Sequence, residues 1–113
     1  MIDGFRKEVV DFALDRQTRE AIEEQRAAIA AEPANPRPYH NLALLYRMEG
    51  RQEEALGLLL EAVGLDPDYA AAHRALSEIY AVRDDMKSAR RHGELAAAAG
   101  DAEAQRMLER WSA

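Results

Sequence analysis

Apolar residues recur along this chain three or four positions apart, and the whole pattern then repeats after 34 residues. Pro33 and Pro67 are one period apart, as are Leu42 and Leu76. Phe12, Tyr46 and Tyr80 follow the same step, and so do Phe5, Tyr39 and His73. Small residues keep the register too, in the columns Ala21–Ala55–Ala89 and Ala28–Ala62–Ala96. Each period holds two helical stripes. In the middle one, Tyr39, Leu42, Ala43 and Tyr46 share a helix face, and Ala55, Leu58, Leu59, Ala62 and Val63 share the next.

Punctuation between the stripes agrees with this spacing. Asn35-Pro36 is a helix start, with Asn as cap and Pro tolerated in the first turn. Gly50 supplies the left-handed residue that a helix end favours. Asp66-Pro67-Asp68 ends the second helix, and the third begins near Tyr69. Downstream, His73, Leu76, Ser77 and Tyr80 form one face, Asp84-Asp85 makes a turn, and Ala89 and Ala96 lie on the helix that follows. Gly100-Asp101 closes that helix, and Asp101 caps a last one from Ala102 to about Trp111. In the first period Phe5, Val9 and Phe12 predict an opening helix, and Thr18 to Ala31 a second one paired with it.

These residues resemble the tetratricopeptide repeat (TPR) family over nearly the whole chain. Tyr39, Leu42, Ala43, Tyr46, Gly50, Ala55, Leu59, Ala62 and Pro67 match the family pattern in order. The third period matches through Leu76, Ser77, Tyr80, Ala89 and Ala96. It departs at His73, Asp84, Gly93 and Asp101, where an aromatic, Gly, a large apolar residue and Pro are usual. The first matches through Phe5, Phe12, Ala21, Ala28 and Pro33, with Glu8 and Gln25 in place of apolar residues. The resemblance implies an all-α, right-handed α-solenoid of three helix hairpins (about 2–35, 36–69 and 70–101) plus a capping helix at about 102–112, as a single domain. One hairpin cannot bury its own apolar face, so about three must stack, with polar residues on the outer ends. Glu8 at one end and Arg106, Glu109 and Arg110 at the other are placed for that role. Ala104, Met107, Leu108 and Trp111 form the inner stripe of the last helix. Trp111 is expected to pack on the third hairpin, and a Trp-anchored dimer contact is the alternative. Gly93 stands where Leu59 stands one period earlier, which implies either a close approach by the closing helix or a cavity.

Composition narrows the function. The chain has 113 residues, 48% hydrophobic, 32% charged, with a net charge of −6 and no cysteine. That hydrophobic content suits a folded core, and the acidity argues against nucleic acid as a partner. Disulfides and thiolate chemistry are excluded. No apolar run approaches the roughly 20 residues of a membrane span, and the first residues do not read as a signal peptide, so a cytoplasmic protein away from membranes is expected. No phosphate loop, HExxH pair or nucleophile elbow is present. His40, His73 and His92 show no ligand-like spacing, and His73 is expected to be a packed, hydrogen-bonded ring in a core column. Neither enzyme activity nor a metal or cofactor is expected. Glu23-Glu24 and Glu53-Glu54 are read as acidic starts of second helices.

With the core stripe of each first helix assigned, the opposite side carries Arg37, Asn41, Leu44 and Met48. Its equivalents are Asp3, Lys7, Val10 and Leu14 in the first period, and Ala71, Ala75, Glu78 and Val82 in the third. In the TPR family this side lines a concave surface where peptides bind. Arg6, His40 and Arg74 form a basic ladder along its edge, beside the apolar columns Val10–Leu44 and Leu14–Met48–Val82. The resemblance thus implies a protein-interaction module holding a protein or peptide ligand in this groove, one that is acidic and partly hydrophobic. The opposing reading is a solvated face whose arginines pair with Glu49 or Glu78. The alternative function is a self-assembling subunit, a homodimer through the apolar strip or the Trp111 helix. The carboxylate clamp by which some TPR domains hold heat-shock chaperones is not matched. Asn41 fits it and Arg6 stands for a Lys, but Val10, Ala71 and Ala75 stand where Asn, Lys and Arg are needed.

Overall fold

Small residues at fixed helical positions let backbones approach, and among the described residues they assemble six helices in series. The computed structural model describes the backbone of residues 2–112 and the side chains of residues 15–112. The helices are α1 (Ile2–Ala31), α2 (Pro36–Met48), α3 (Gln52–Leu65), α4 (Ala70–Val82), α5 (Met86–Ala98) and α6 (Ala102–Ser112), with no strand among the described residues. Each helix packs on the next in chain order, the quasi-one-dimensional arrangement of an all-α helical repeat. None of the described helices is long and apolar enough to cross a membrane.

The α2–α3 and α4–α5 hairpins form as the stripes predict, and their turns are built alike. The Arg51 amide donates to Tyr46 O (2.8 Å) and the Asp85 amide to Tyr80 O (2.9 Å), one period apart. A third copy joins Asp101 N to Ala96 O at 3.0 Å and leads into α6. Each turn needs a left-handed residue, and Gly50 (φ 77°), Asp84 (φ 60°) and Gly100 (φ 98°) provide it. Asp84 thus does the work of the Gly usual there, because a short polar side chain tolerates that backbone region. The predicted caps are present: Asn35 Oδ1 accepts from Arg37 N (3.1 Å) and Asp101 Oδ1 from Ala104 N (2.9 Å).

The first period departs from expectation. Residues 2–31 form one continuous helix of 30 residues instead of a hairpin. The reason lies at the turn. Arg16 stands one period before Gly50 and two before Asp84, and a long side chain at positive φ is costly. Helical backbone is the lower-energy course, supported by an Arg16–Glu20 ion pair (3.1 Å). Glu23-Glu24, read as a helix start, accordingly lies exposed in the interior of α1. The predicted contacts of Phe5, Glu8, Val9 and Phe12 fall outside the described side chains.

The core follows the repeat columns. Leu42, Ala43, Tyr46, Ala55, Leu59, Ala62, Leu76, Ser77, Ala89, Ala96, Ala104 and Met107 are buried, while Leu58, Val63, Leu108 and Trp111 are half-buried. Gly93 is a close approach: a Cβ there would lie 3.2 Å from Leu108 Cδ2 and 3.2 Å from Ser77 Oγ. The closing helix therefore docks on the space that Leu59 fills one period earlier. Arg106, Glu109 and Arg110 face solvent at the outer end, as expected of a cap.

Candidate protein-binding groove

The face of α2 and α4 opposite the core is the candidate site, and three of its side chains stand out. Leu44 is 39% exposed, Met48 77% and Val82 85%. Burying such side chains against a partner is worth about 25 cal/mol per Å² of apolar surface, so an exposed apolar column favours contact. Two shallow depressions flank it. One, of about 480 Å³, is lined by Leu44, Arg47, Met48 and Gln52. The other, of about 660 Å³, lies where mid-α1 meets the end of α2 and is lined by Asp15, Thr18, Arg19, Met48 and Glu49.

The basic ladder is not a row of free cations. Arg74 Nε donates to Asp101 Oδ2 (3.0 Å) and its Nη1 to Glu78 Oε1 (3.4 Å). Glu78 also accepts from Arg47 Nη1 at 3.2 Å. This network ties α2, α4 and the α6 cap together and largely neutralises the Arg74 charge that a ligand would meet. Burial pushes the His40 pKa below its ordinary value; a hydrogen bond with Asn41 opposes this, and the Arg74 charge adds to the lowering. His40 is therefore neutral at pH 7, its ring edge-on to Tyr69 at 5.7 Å.

Asn41 is half-buried, and its Nδ2 reaches Gln25 Oε1 on α1 at 3.4 Å. That contact gives the polar Gln25 a partner where the repeat usually has an apolar residue. Arg37 is exposed at the start of α2. Glu78 belongs to the ion-pair network, and Ala75, expected on this face, is buried in the core instead. Arg6, Lys7, Val10 and Leu14 lie outside the described side chains. Their backbone continues along the α1 axis, so within one chain α2 and α4 supply the described rungs of the groove.

Sequence spacing alone did not foresee a contact between two of the histidines. His73 is 4% exposed, as its core column predicts, but its Nδ1 lies 3.0 Å from His92 Nδ1 on α5. Its Nε2 lies 2.7 Å from Pro67 O. A carbonyl only accepts, so Nε2–H donates to it, and in the neutral ring Nδ1 accepts from His92 Nδ1–H. The His92 ring lies near-parallel to those of His73 and Tyr80, with centroids 5.3 and 5.6 Å away. Among the described residues no group of three or more His, Cys, Asp or Glu side chains could hold a metal.

A family model described as "Tetratricopeptide repeat" matches residues 15–93. The TPR repeat-containing thioredoxin TTL4 of Arabidopsis thaliana is 43% identical over 65 residues, 58% of this chain and 10% of that protein. This chain therefore spans about a tenth of that relative's length. Among solved structures, the Sgt2 TPR domain from Aspergillus fumigatus superposes with a TM-score of 0.73 at 27% identity, over 95% of this chain and 74% of that one. MamA (41-end) from Desulfovibrio magneticus RS-1 gives a TM-score of 0.66 at 29% identity, over 84% and 53%.

Proposed function

We propose that this chain, which belongs to the tetratricopeptide repeat family, holds a segment of a partner protein along the outward face of α2 and α4. Membership in that family makes it a protein-interaction module in general terms. The single observation that carries the specific reading is the exposed column Leu44, Met48 and Val82, apolar side chains left in water on adjacent hairpins. The ligand is a partly hydrophobic segment. Its apolar side chains cover that column, and its acidic side chains lie toward Arg37, with Arg6 and Lys7 as further positions on α1. Because Arg74 is already paired and His40 is neutral, apolar contact supplies most of the affinity and charge supplies orientation. The role is that of a non-catalytic adaptor or scaffold working in the cytoplasm.

The test is a selection of displayed peptides on the wild-type chain and on Met48→Glu/Val82→Glu. Both substitutions lie at exposed sites and leave the core alone. Enrichment of apolar-acidic peptides that is lost with the double variant supports the groove. Equal enrichment on both chains contradicts it. Arg74 is a poorer probe, because Arg74→Glu would crowd a third carboxylate against Asp101 and Glu78 and disturb the fold itself.

A further inference from the structure

The first repeat has its second helix in place but no first helix folded back on it. In the other hairpins the small residues of the second helix, Ala55 and Ala62 on α3 and Ala89 and Ala96 on α5, are fully buried beneath the first helix. Their equivalents on α1, Ala21 and Ala28, are only half-buried. Gln25 between them is half-buried as well, where Leu59 is wholly enclosed one period later. A face built for close helix approach is thus only partly covered along the 18–31 half of α1. The depression lined by Asp15, Thr18, Arg19, Met48 and Glu49 opens at its end.

The helix that fits this face exists in the sequence. Residues 2–14 are 13 residues long, as are α2 and α4, about 20 Å of helix. They carry Phe5 and Phe12 at the register positions of Tyr39 and Tyr46. In its own chain this segment cannot lie antiparallel to residues 18–31, because α1 runs straight through Arg16 and no left-handed residue makes the turn. A second copy has no such obstacle. We propose that residues 2–14 of one chain occupy this face of a second chain and receive the same in return, so that two α1 helices pair antiparallel about a two-fold axis near Asp15. Such an exchange reuses the contacts of the ordinary hairpin and is self-complementary, as a two-fold dimer requires. By register it also brings the Val10 and Leu14 positions of one chain beside Leu44 and Met48 of the other, completing the first rung of the groove between subunits. It stands independently of what that groove binds.

The hairpin geometry supplies the probe. Ser77 Oγ donates to Ala89 O at 2.6 Å across α4 and α5; two periods earlier these positions are Val9 and Ala21. The chain has no cysteine, so Val9→Cys and Ala21→Cys chains can be mixed and oxidised without background. The expected result is a disulfide joining one chain of each variant, and a wild-type light-scattering mass of two chains. Arg16→Gly, which permits the turn, should halve that mass. It should also convert the Val9→Cys/Ala21→Cys double variant from between-chain to within-chain linkage, with helicity by circular dichroism confirming the fold. A wild-type mass of one chain at all concentrations overturns the proposal. So does a within-chain disulfide in the double variant with Arg16 intact, which would mean that the segment folds back on itself. A dimer that yields no mixed disulfide overturns it too, because the contact would then lie elsewhere.

Discussion

Replacing Gly93 by Ala tests how closely α6 is fitted to the last hairpin. In a helix interior, Gly→Ala ordinarily stabilises by about 0.5–1 kcal/mol. Gly57 is the reference, since a Cβ there meets nothing within 4 Å, and Gly57→Ala should show the full gain. At Gly93 the new Cβ would sit 3.2 Å from both Leu108 Cδ2 and Ser77 Oγ, inside the roughly 3.5–4.0 Å at which carbon contacts are favourable. Leu108 can shift, but Ser77 Oγ is held by its 2.6 Å bond to Ala89 O. Overpacking of this kind costs about 1–3 kcal/mol. The low end applies, because one of the two neighbours is a side-chain tip. Set against the helix gain, Gly93→Ala should be neutral to destabilising by up to about 0.5 kcal/mol, about 1 kcal/mol apart from Gly57→Ala. Urea midpoints at constant slope measure both. Repeating Gly93→Ala in a Leu108→Ala background should remove the share of the penalty that comes from α6, and in a Ser77→Ala background the share held by the 2.6 Å bond. A Gly93→Ala midpoint raised as far as that of Gly57→Ala would refute the close docking of α6.

Three other outcomes follow from the same geometry. Leu59→Ala empties a fully enclosed position and should cost about 2–5 kcal/mol in denaturant unfolding. Asp84→Gly relieves a side chain held at φ 60°; the relief exceeds the added freedom of the unfolded chain, and stability should rise by about 0.5–1 kcal/mol. For pH, burial holds both His92 and His40 below the ordinary histidine value; His73 and Arg91 add to the lowering at His92, and Arg74 at His40. The unfolded chain then takes up protons first, so this stability is complete above about pH 6.5 and is lost as pH falls from there toward the folded values. Thermal melts between pH 7.5 and 5 should show the loss, and His92→Gln should flatten it; a midpoint that rises on acidification would contradict the sign.

Fold was legible wherever a repeat column met a turn residue able to take its backbone. Leu42, Ala55, Leu76 and Ala89 were recognisable as core by spacing alone, because only close-packed helices demand that alternation of small and large. The first hairpin was misread because its columns persist while its turn does not: Arg16 sits where Gly50 and Asp84 sit, and no Gly or Pro lies between Phe5 and Glu32. That signal was in the sequence but is a negative one, outweighed by Phe5, Phe12 and Ala21. The candidate groove was half legible. Helix geometry put Leu44, Met48 and Val82 outward, and Glu78 was foreseen as an arginine partner. The contact of Arg74 with Asp101, 27 positions away, and that of His73 with His92, 19 positions away, depend on how successive helices lean together, which no local spacing records.

The most direct measurement of the central claim is methyl NMR of the wild-type chain titrated with a peptide selected on it. The account predicts that the Leu44, Met48 and Val82 methyls shift together and saturate, while the exposed methyls of Leu60 and Leu95 on α3 and α5 stay in place. Saturating shifts on Leu60 and Leu95, with Leu44, Met48 and Val82 unmoved, would contradict it and move the binding surface to the opposite side of the hairpins.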